Sequence, residues 1–553
     1  MKKLIIINLL LVWGLLSFAQ GIYNDGAHIV STTGSYWVVD NGSFTLTSNS
    51  STNPTQFDNL VITNDASLTL GSASTPTYLT VSDGFSMTSP ATVTIPSGST
   101  GSSSLIVGTI SGTGSFTVNR YITGASLDWH LISSPVTSQE ISGDFTPGGS
   151  TYDFYLYNEP SNEWINRKNT SVTPTDDPPY FDDVNGDLLF TPGRGYLAAY
   201  NESNPTKSFV GSVNQGTVSQ SLTIDGSTQY QGANLLGNPY PSSIDWKAPS
   251  GWTRTMLRDD DENAGIGYSM YIWNETAGNY GTFISNGSDG SGTNSVTRYI
   301  PPMQGFFVMA ASAGSFQMTE DVCVHESVSS WLKNTNVNPN IIRLKVNSSG
   351  YGSDEVVIED SKTSTGGAQK WFTFVETAPS LWIDSDDKQY SILLNNVDKN
   401  ENHYPIGFKA GIEEQYSITA LFDPDSYMDI ILEDKKLGNF HNLLESPNYN
   451  FYGSPTDNPD RFVLHFSGIN GIDNDIYNLN TIRTYASGNT LYILNPLQKQ
   501  GTVTIYTTTG QKTVTFKLNG DTKQQNTINT NNIINIVKIN TNDEVISNKV
   551  IFR

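Results

Sequence analysis

The chain repeats itself once at long range, and this restricts its architecture more than any other feature. His130-Leu131-Ile132-Ser133-Ser134-Pro135 is echoed by Asn234-Leu235-Leu236-Gly237-Asn238-Pro239. Tyr155-Leu156-Tyr157-Asn158-Glu159 is echoed by Tyr271-Ile272-Trp273-Asn274-Glu275, and Pro192-Gly193-Arg194-Gly195-Tyr196-Leu197 by Pro302-Met303-Gln304-Gly305-Phe306-Phe307. Order is kept and the offsets stay between 104 and 116 residues, so two copies of one β-module are expected, near 119–222 and 223–330. Each copy reads as an apolar strand broken at a proline turn, then an aromatic strand, then a strand opened by glycine. The missing Cβ there lets the backbone turn or another segment approach closely. Alternation puts Tyr155 and Tyr157, or Tyr271 and Trp273, on one sheet face. Such a face is ordinarily core; the other reading is an exposed platform for sugar rings.

The flanking segments are read as β-structure too. Residues 20–118 are rich in Ser, Thr, Gly and Asn. They carry short apolar beats such as Phe44-Thr45-Leu46, Leu60-Val61-Ile62, Ser67-Leu68-Thr69-Leu70 and Ala91-Thr92-Val93-Thr94-Ile95. Beats without helical period predict the coils of a β-solenoid, each burying little until stacked; a disordered stalk is the rival reading. Residues 331–470 predict a β-sandwich with strands at Ile341–Val346, Glu355–Ile358, Tyr390–Leu394, Tyr416–Ala420, Ile430–Leu432 and Arg461–Phe466. Residues 471–553 predict a small antiparallel sandwich. The fold class expected is therefore all-β and multidomain. With 48 Gly and 25 Pro against 15% charged residues, composition argues against a coiled coil.

Charge and cysteine usage exclude some functions. Thirty Lys and Arg against 53 Asp and Glu give a net charge of −23 with no basic block, which argues against a nucleic-acid partner. The single cysteine, Cys323, rules out an internal disulfide framework.

The first residues predict a secretory signal. Met1-Lys2-Lys3 is a positive n-region, Leu4–Leu16 is mainly apolar, and Ser17-Phe18-Ala19 offers small residues for cleavage between Ala19 and Gln20. The alternative, an uncleaved anchor, would have to cross ~30 Å of hydrocarbon with a short, polar-interrupted run. No cysteine follows that run, which sets aside a bacterial lipoprotein. No later segment reaches 18 uninterrupted apolar residues, so the mature chain is expected to be soluble, without a transmembrane segment.

At the other end the order of motifs is distinctive: Leu491-Tyr492-Ile493 with Asn495-Pro496, then Val503-Thr504-Ile505-Tyr506 with Gly510-Gln511, then Ile536-Val537-Lys538-Ile539 and Lys549-Val550-Ile551. It resembles the type A C-terminal sorting domain of the type IX secretion system of Bacteroidetes. The departure is Asn532, Ile533 and Asn535, where that family usually has a glycine and an aromatic. The resemblance implies export across the outer membrane by the type IX machinery, with Asn495, Pro496, Gly510, Gln511, Lys538 and Lys549 in the signal. It also implies a domain often removed on surface attachment. Asn234–Pro241 and Tyr299–Val308 resemble a module recurrent in secreted flavobacterial proteins. Asp434-Lys435-Lys436 and Asn448-Tyr449-Asn450-Phe451 resemble the immunoglobulin-like domain that often precedes such sorting domains.

Signals for chemistry are sparse. A glycosidase needs two carboxylates across a cleft, and Asp259-Asp260-Asp261-Glu262 is the densest acidic run, though neighbouring acids usually form a solvated turn. Ser288 and Ser291 sit in a Gly/Ser/Asp loop rather than on a nucleophile elbow. His-Glu-x-x-His is absent; the six histidines are scattered, with His325 read as a surface or sheet-edge residue and Cys323 as a buried, inert thiol. Asp183, Asn185 and Asp187 offer oxygens at alternating positions, as a structural calcium loop requires, or else form an ordinary Asx turn. The expectation is a secreted, extracellular or outer-membrane surface protein in a non-catalytic structural, adhesive or glycan-contacting role. Its expected partners are surface glycans or other surface proteins. The alternative is a polysaccharide-degrading enzyme or its sugar-binding subunit.

Overall fold

A computed structural model describes residues 33–551, apart from 48–49, 148–151, 226–229, 262–266, 327–339, 362–363, 396–402, 469–481, 488, 496, 530–533 and 544. The fold is all-β and multidomain. Four parallel strands, Tyr36–Asp40, Thr55–Thr63, Tyr78–Met87 and Ser104–Gly112, form one face of a solenoid. A second face is formed by Ser43–Leu46, Ser67–Ser72, Thr92–Ile95 and Ser115–Tyr121. In-register stacking makes columns: Leu60, Phe85 and Ile110 on one face, Phe44, Leu68, Val93 and Phe116 on the other. The expected apolar beats are these inward residues, and stacking fuses them into one core.

The solenoid runs directly into the first module. Its last strand, Ser115–Tyr121, pairs antiparallel with Thr206–Gly211, and residues of both units share a single apolar cluster. A boundary at 118 therefore falls inside a strand. Val218–Leu222 opens the second copy in the same way by pairing with Gly314–Met318, ahead of residue 223.

The duplication is reproduced strand by strand. The first copy has the spatial order His130–Ile132, Tyr196–Tyr200, Tyr152–Asn158, Glu163–Asn166. The second has Ala233–Gly237, Gly305–Met309, Ser269–Asn274, Asn279–Ile284. Contacts between the copies exchange when the copies are swapped. Arg194 bridges Leu236 as Gln304 bridges Ile132. Ser133 N–H donates to the Met303 carbonyl at 3.0 Å, and Gly237 N–H to the Gly193 carbonyl at 2.9 Å. This reciprocity is what a pseudo-twofold axis produces. The strand-opening glycines stand on that axis. A Cβ on Gly195 would lie 2.3 Å from the Leu236 carbonyl oxygen, and one on Gly305 would lie 2.9 Å from the Leu131 Cβ. Their role is close approach.

Residues 341–468 form an 11-stranded sheet, ten strands along a continuous hydrogen-bonded path that folds over one core and Gly366–Gln369 pairing beside it. All six expected strands are present. The fold-over is fastened by Arg461, which is 2% exposed. Its guanidinium donates to both Asp434 carboxylate oxygens, at 3.1 and 2.8 Å, while the Tyr449 hydroxyl donates to Asp434 Oδ2 at 3.0 Å. The C-terminal unit is a two-sheet sandwich. Arg483–Ser487, Thr490–Leu494 and Lys523–Thr527 face Lys512–Asn519, Gln500–Thr507, Ile534–Thr541 and Val545–Ile551. Its apolar cluster draws only on residues from Ile482 onward. Among the described residues no helix is long and apolar enough to cross a membrane.

Candidate functional site

The two outward sheet faces of the duplicated module meet on the pseudo-axis and build an aromatic seam. In the first copy Tyr157 and Trp164 are cross-strand neighbours, with ring centroids 5.2 Å apart at 60°. In the second, Trp273 and Tyr280 occupy the equivalent positions at 5.1 Å and 70°. Phe307 lies between them, 5.3 Å from Tyr157 and 6.2 Å from Tyr280. The paired aromatics are core in the second copy and only partly covered in the first. Tyr271 and Trp273 are buried, whereas Tyr155 and Tyr157 are half-buried and Trp164 is 36% exposed.

The difference comes from the third domain. Its loop places Trp371 flat on Tyr271, at 4.6 Å and 15°, and Phe374 flat on Trp273, at 4.2 Å and 24°. No spacing rule pointed to Trp371. The only signal was an aromatic cluster, Trp371-Phe372-Thr373-Phe374, in a segment without strand alternation.

Polar groups border the seam. Glu275 accepts from Trp273 Nε1–H and from the Trp129 N–H, and burial raises its carboxyl above the usual range. Tyr157 donates to Asn162 Oδ1 at 2.6 Å, and burial pushes its phenol up to about 12. Asp153, Tyr155 and Asn166 lie on the same outward face of the first copy.

The residues singled out in the sequence have other occupations. Asp259 accepts from the N–H groups of Asp261 and Gly267, Asp260 pairs with Arg258 at 2.7 Å, and Asp261 accepts from Thr365 N–H and Asn286. This run is a latch onto the third domain; Glu262 lies outside the described residues. Ser288 N–H and Ser291 Oγ–H donate to the buried Glu359 of the third domain, so both serines belong to the same latch.

The calcium expectation assumed an extended loop. Phe181–Asn185 is instead a helical turn closed by Gly186 at φ +91°, and positions i and i+2 of a helix do not face each other. Asp183 is exposed while Asn185 is buried. The Asn185 Oδ1 already accepts from Thr191, Arg194 and Tyr196, and Asp187 Oδ1 caps the Leu189 N–H. The Asn185 oxygen, the middle one of the three expected ligands, is thus taken up by protein donors. Among the described residues no group of three or more His, Cys, Asp or Glu could hold a metal ion.

His325 directly follows Cys323–Val324, the edge strand of its three-stranded sheet, but it does not face solvent freely. Its ring bridges the second copy to the solenoid, with Nε2 2.9 Å from Thr80 Oγ1 and Nδ1 2.8 Å from Ser104 Oγ. Burial lowers its pKa to about 4. The unfolded chain takes up the proton first, below the ordinary 6.5, so the stability His325 provides is intact above pH 6.5 and is lost as pH falls towards 4. His325→Gln, which keeps hydrogen bonds to both hydroxyls, is expected to flatten the fall in Tm between pH 6.5 and 4. Parallel Tm–pH curves for variant and wild type would contradict this. Cys323 packs on the second copy's core, and burial pushes its thiol up to about 12, far from nucleophilic use.

In the C-terminal sandwich, Asn495 is fully buried and its carboxamide exchanges hydrogen bonds with the Lys499 backbone at 2.7 and 2.9 Å. Gly510, at φ +84°, turns the hairpin whose ends are Thr507 and Gln511. Lys538 and Lys549 lie on adjacent strands, Lys549 exposed. Pro496, Ala19 and Gln20 lie outside the described residues.

Among curated proteins none matches this sequence. A solved structure titled "Biofilm associated protein - BSP domain" is similar at 8% identity and a TM-score of 0.14, over 78% of this chain and 91% of that one, a likeness too weak to carry an argument. The model of the family described as "Domain of unknown function (DUF8693)" matches residues 28–466, the solenoid, both copies and the third domain without the C-terminal sandwich, and the chain belongs to that family.

Proposed function

We propose that the chain is a secreted cell-surface protein, exported by the type IX secretion machinery and acting outside the cell in a structural or adhesive role. Its contacts there are surface glycans or other surface proteins. The observation that carries this reading is the division of the molecule. Residues up to 468 interlock through shared cores and latches, whereas the C-terminal sandwich has a core of its own and follows the family match as an appendage. A sorting unit has to be separable in this way, since it is read by the export machinery and is dispensable to the fold of its cargo. The charge of −23 suits a soluble exterior role.

The acids that the enzyme alternative would draw on are engaged in the latch to the third domain, which favours the binding role over the hydrolytic one. Proteinase K added to intact cells of a type IX-competent host is expected to degrade the full-length chain while periplasmic markers survive. Protection equal to that of the periplasmic markers would contradict surface display.

A further inference from the structure

The pseudo-twofold duplication provides an internal comparison. It shows what the aromatic face of this module accepts and how the two copies have diverged. On the second copy the occupant is a planar ring laid flat on Tyr271, supplied by the protein itself as Trp371. Around it the flanking positions are small and buried: Ser269 beside Tyr271 along the strand, Thr282 opposite it. On the first copy the same two positions are Asp153 and Asn166. Both side chains are longer, and the Asp153 carboxylate is 38% exposed. Trp164 adds an exposed indole at the place of the buried Tyr280.

The rim side chains have protein partners, Asp153 in Lys168 and the Tyr155 hydroxyl, Asn162 in the Tyr157 hydroxyl and Asn166 in the Lys168 N–H, yet being only half-buried they keep hydrogen-bonding capacity at an edge where the second copy has small, buried residues. A face that stacks a ring carrying hydroxyl groups needs both the aromatic floor and the polar rim. We infer that the outward face of the first copy, with Tyr155, Tyr157 and Trp164 as floor and Asp153, Asn162 and Asn166 as rim, is a carbohydrate-binding site that takes a pyranose ring. Lys168 stands 4.0 Å from the Asp153 carboxylate, so the rim carries no net charge of its own, and the overall charge of −23 disfavours acidic polymers; the ligand class is a neutral polysaccharide. This deepens the surface-binding reading and rests on it only for the setting in which such a ligand is met.

Affinity gel electrophoresis of the full-length protein through laminarin, xylan and galactomannan tests the site directly. The wild-type chain is expected to be retarded by at least one of the three. Trp164→Ala should weaken that retention about tenfold, the worth of one stacked ring, and Trp164→Phe should recover most of it. Trp371→Ala is the matched control: it should lower Tm and leave retention in place. If Trp164→Ala itself lowers Tm, Asn166→Ala replaces it, with a smaller loss of retention expected. No retention of the wild-type chain by any of the three polymers overturns the inference. So does retention unaffected by both Trp164→Ala and Asn166→Ala. Surface display, measured by protease on intact cells, is unaffected by either failure.

Discussion

Asp354→Ala is expected to destabilise the protein by about 3–5 kcal/mol, the cost of stranding one partner of a buried ion pair. Asp354 and Lys370 are both completely buried and 2.5 Å apart. The carboxylate also accepts from the Leu381 N–H at 2.7 Å, the Glu355 N–H at 2.9 Å and Asn294 Nδ2 at 3.0 Å. Asn294 belongs to the second copy, so one carboxylate ties two domains together. Without it an ammonium and three donors lose their acceptor in a dry site, where solvation cannot replace it. The double variant Asp354→Ala with Lys370→Met removes both charges and is expected to be less destabilised than Asp354→Ala alone. Chemical denaturation of the wild type and the two variants measures this. A cost under about 1 kcal/mol for the single variant would contradict a closed pair.

Trp371→Ala is expected to cost about 3–5 kcal/mol as well, by a different mechanism: loss of a large buried ring and the cavity left behind. Trp371 is 7% exposed and touches Tyr271, Tyr280 and Phe307, at 4.6, 5.3 and 5.0 Å between centroids. Removing it uncovers the aromatic face of the second copy and loosens the third domain from it. Limited proteolysis should then cut between the two where the wild-type chain resists. Trp371→Phe keeps a flat ring over Tyr271 and is expected to recover at least half of the loss. An unchanged Tm for Trp371→Ala would mean that the ring packs without holding the domains together.

Local features of the fold were legible in the sequence because strands, turns and repeats leave local marks. The echo of Tyr155-Leu156-Tyr157 in Tyr271-Ile272-Trp273 marks equivalent strands, and the solenoid beats mark inward columns. Gly195 and Gly305 mark a close approach, although sequence alone left a turn equally open. The unread features depend on contacts between residues far apart in the chain. His325 meets Thr80 and Ser104, and Ser291 meets Glu359, across hundreds or tens of intervening residues. No periodicity encodes such meetings.

The helical turn that carries Asp183 and Asn185 was open to view in the sequence. Phe181 and Val184 stand three apart ahead of Gly186, the signature of a short helical turn with a glycine stop. The asymmetry of the seam was half legible: the aromatic pairs were visible, but no periodicity pointed to Trp371, which covers only one of them.

The central claim is that the C-terminal sandwich is an export unit appended to a self-sufficient body. The most direct test compares the full-length chain with one ending at Gly468 in a host with type IX secretion. The full-length chain should reach the surface, while the truncated chain should stay in the periplasm and fold, keeping its Tm. Equal surface display of both chains would contradict the claim and leave the C-terminal unit as one more sandwich.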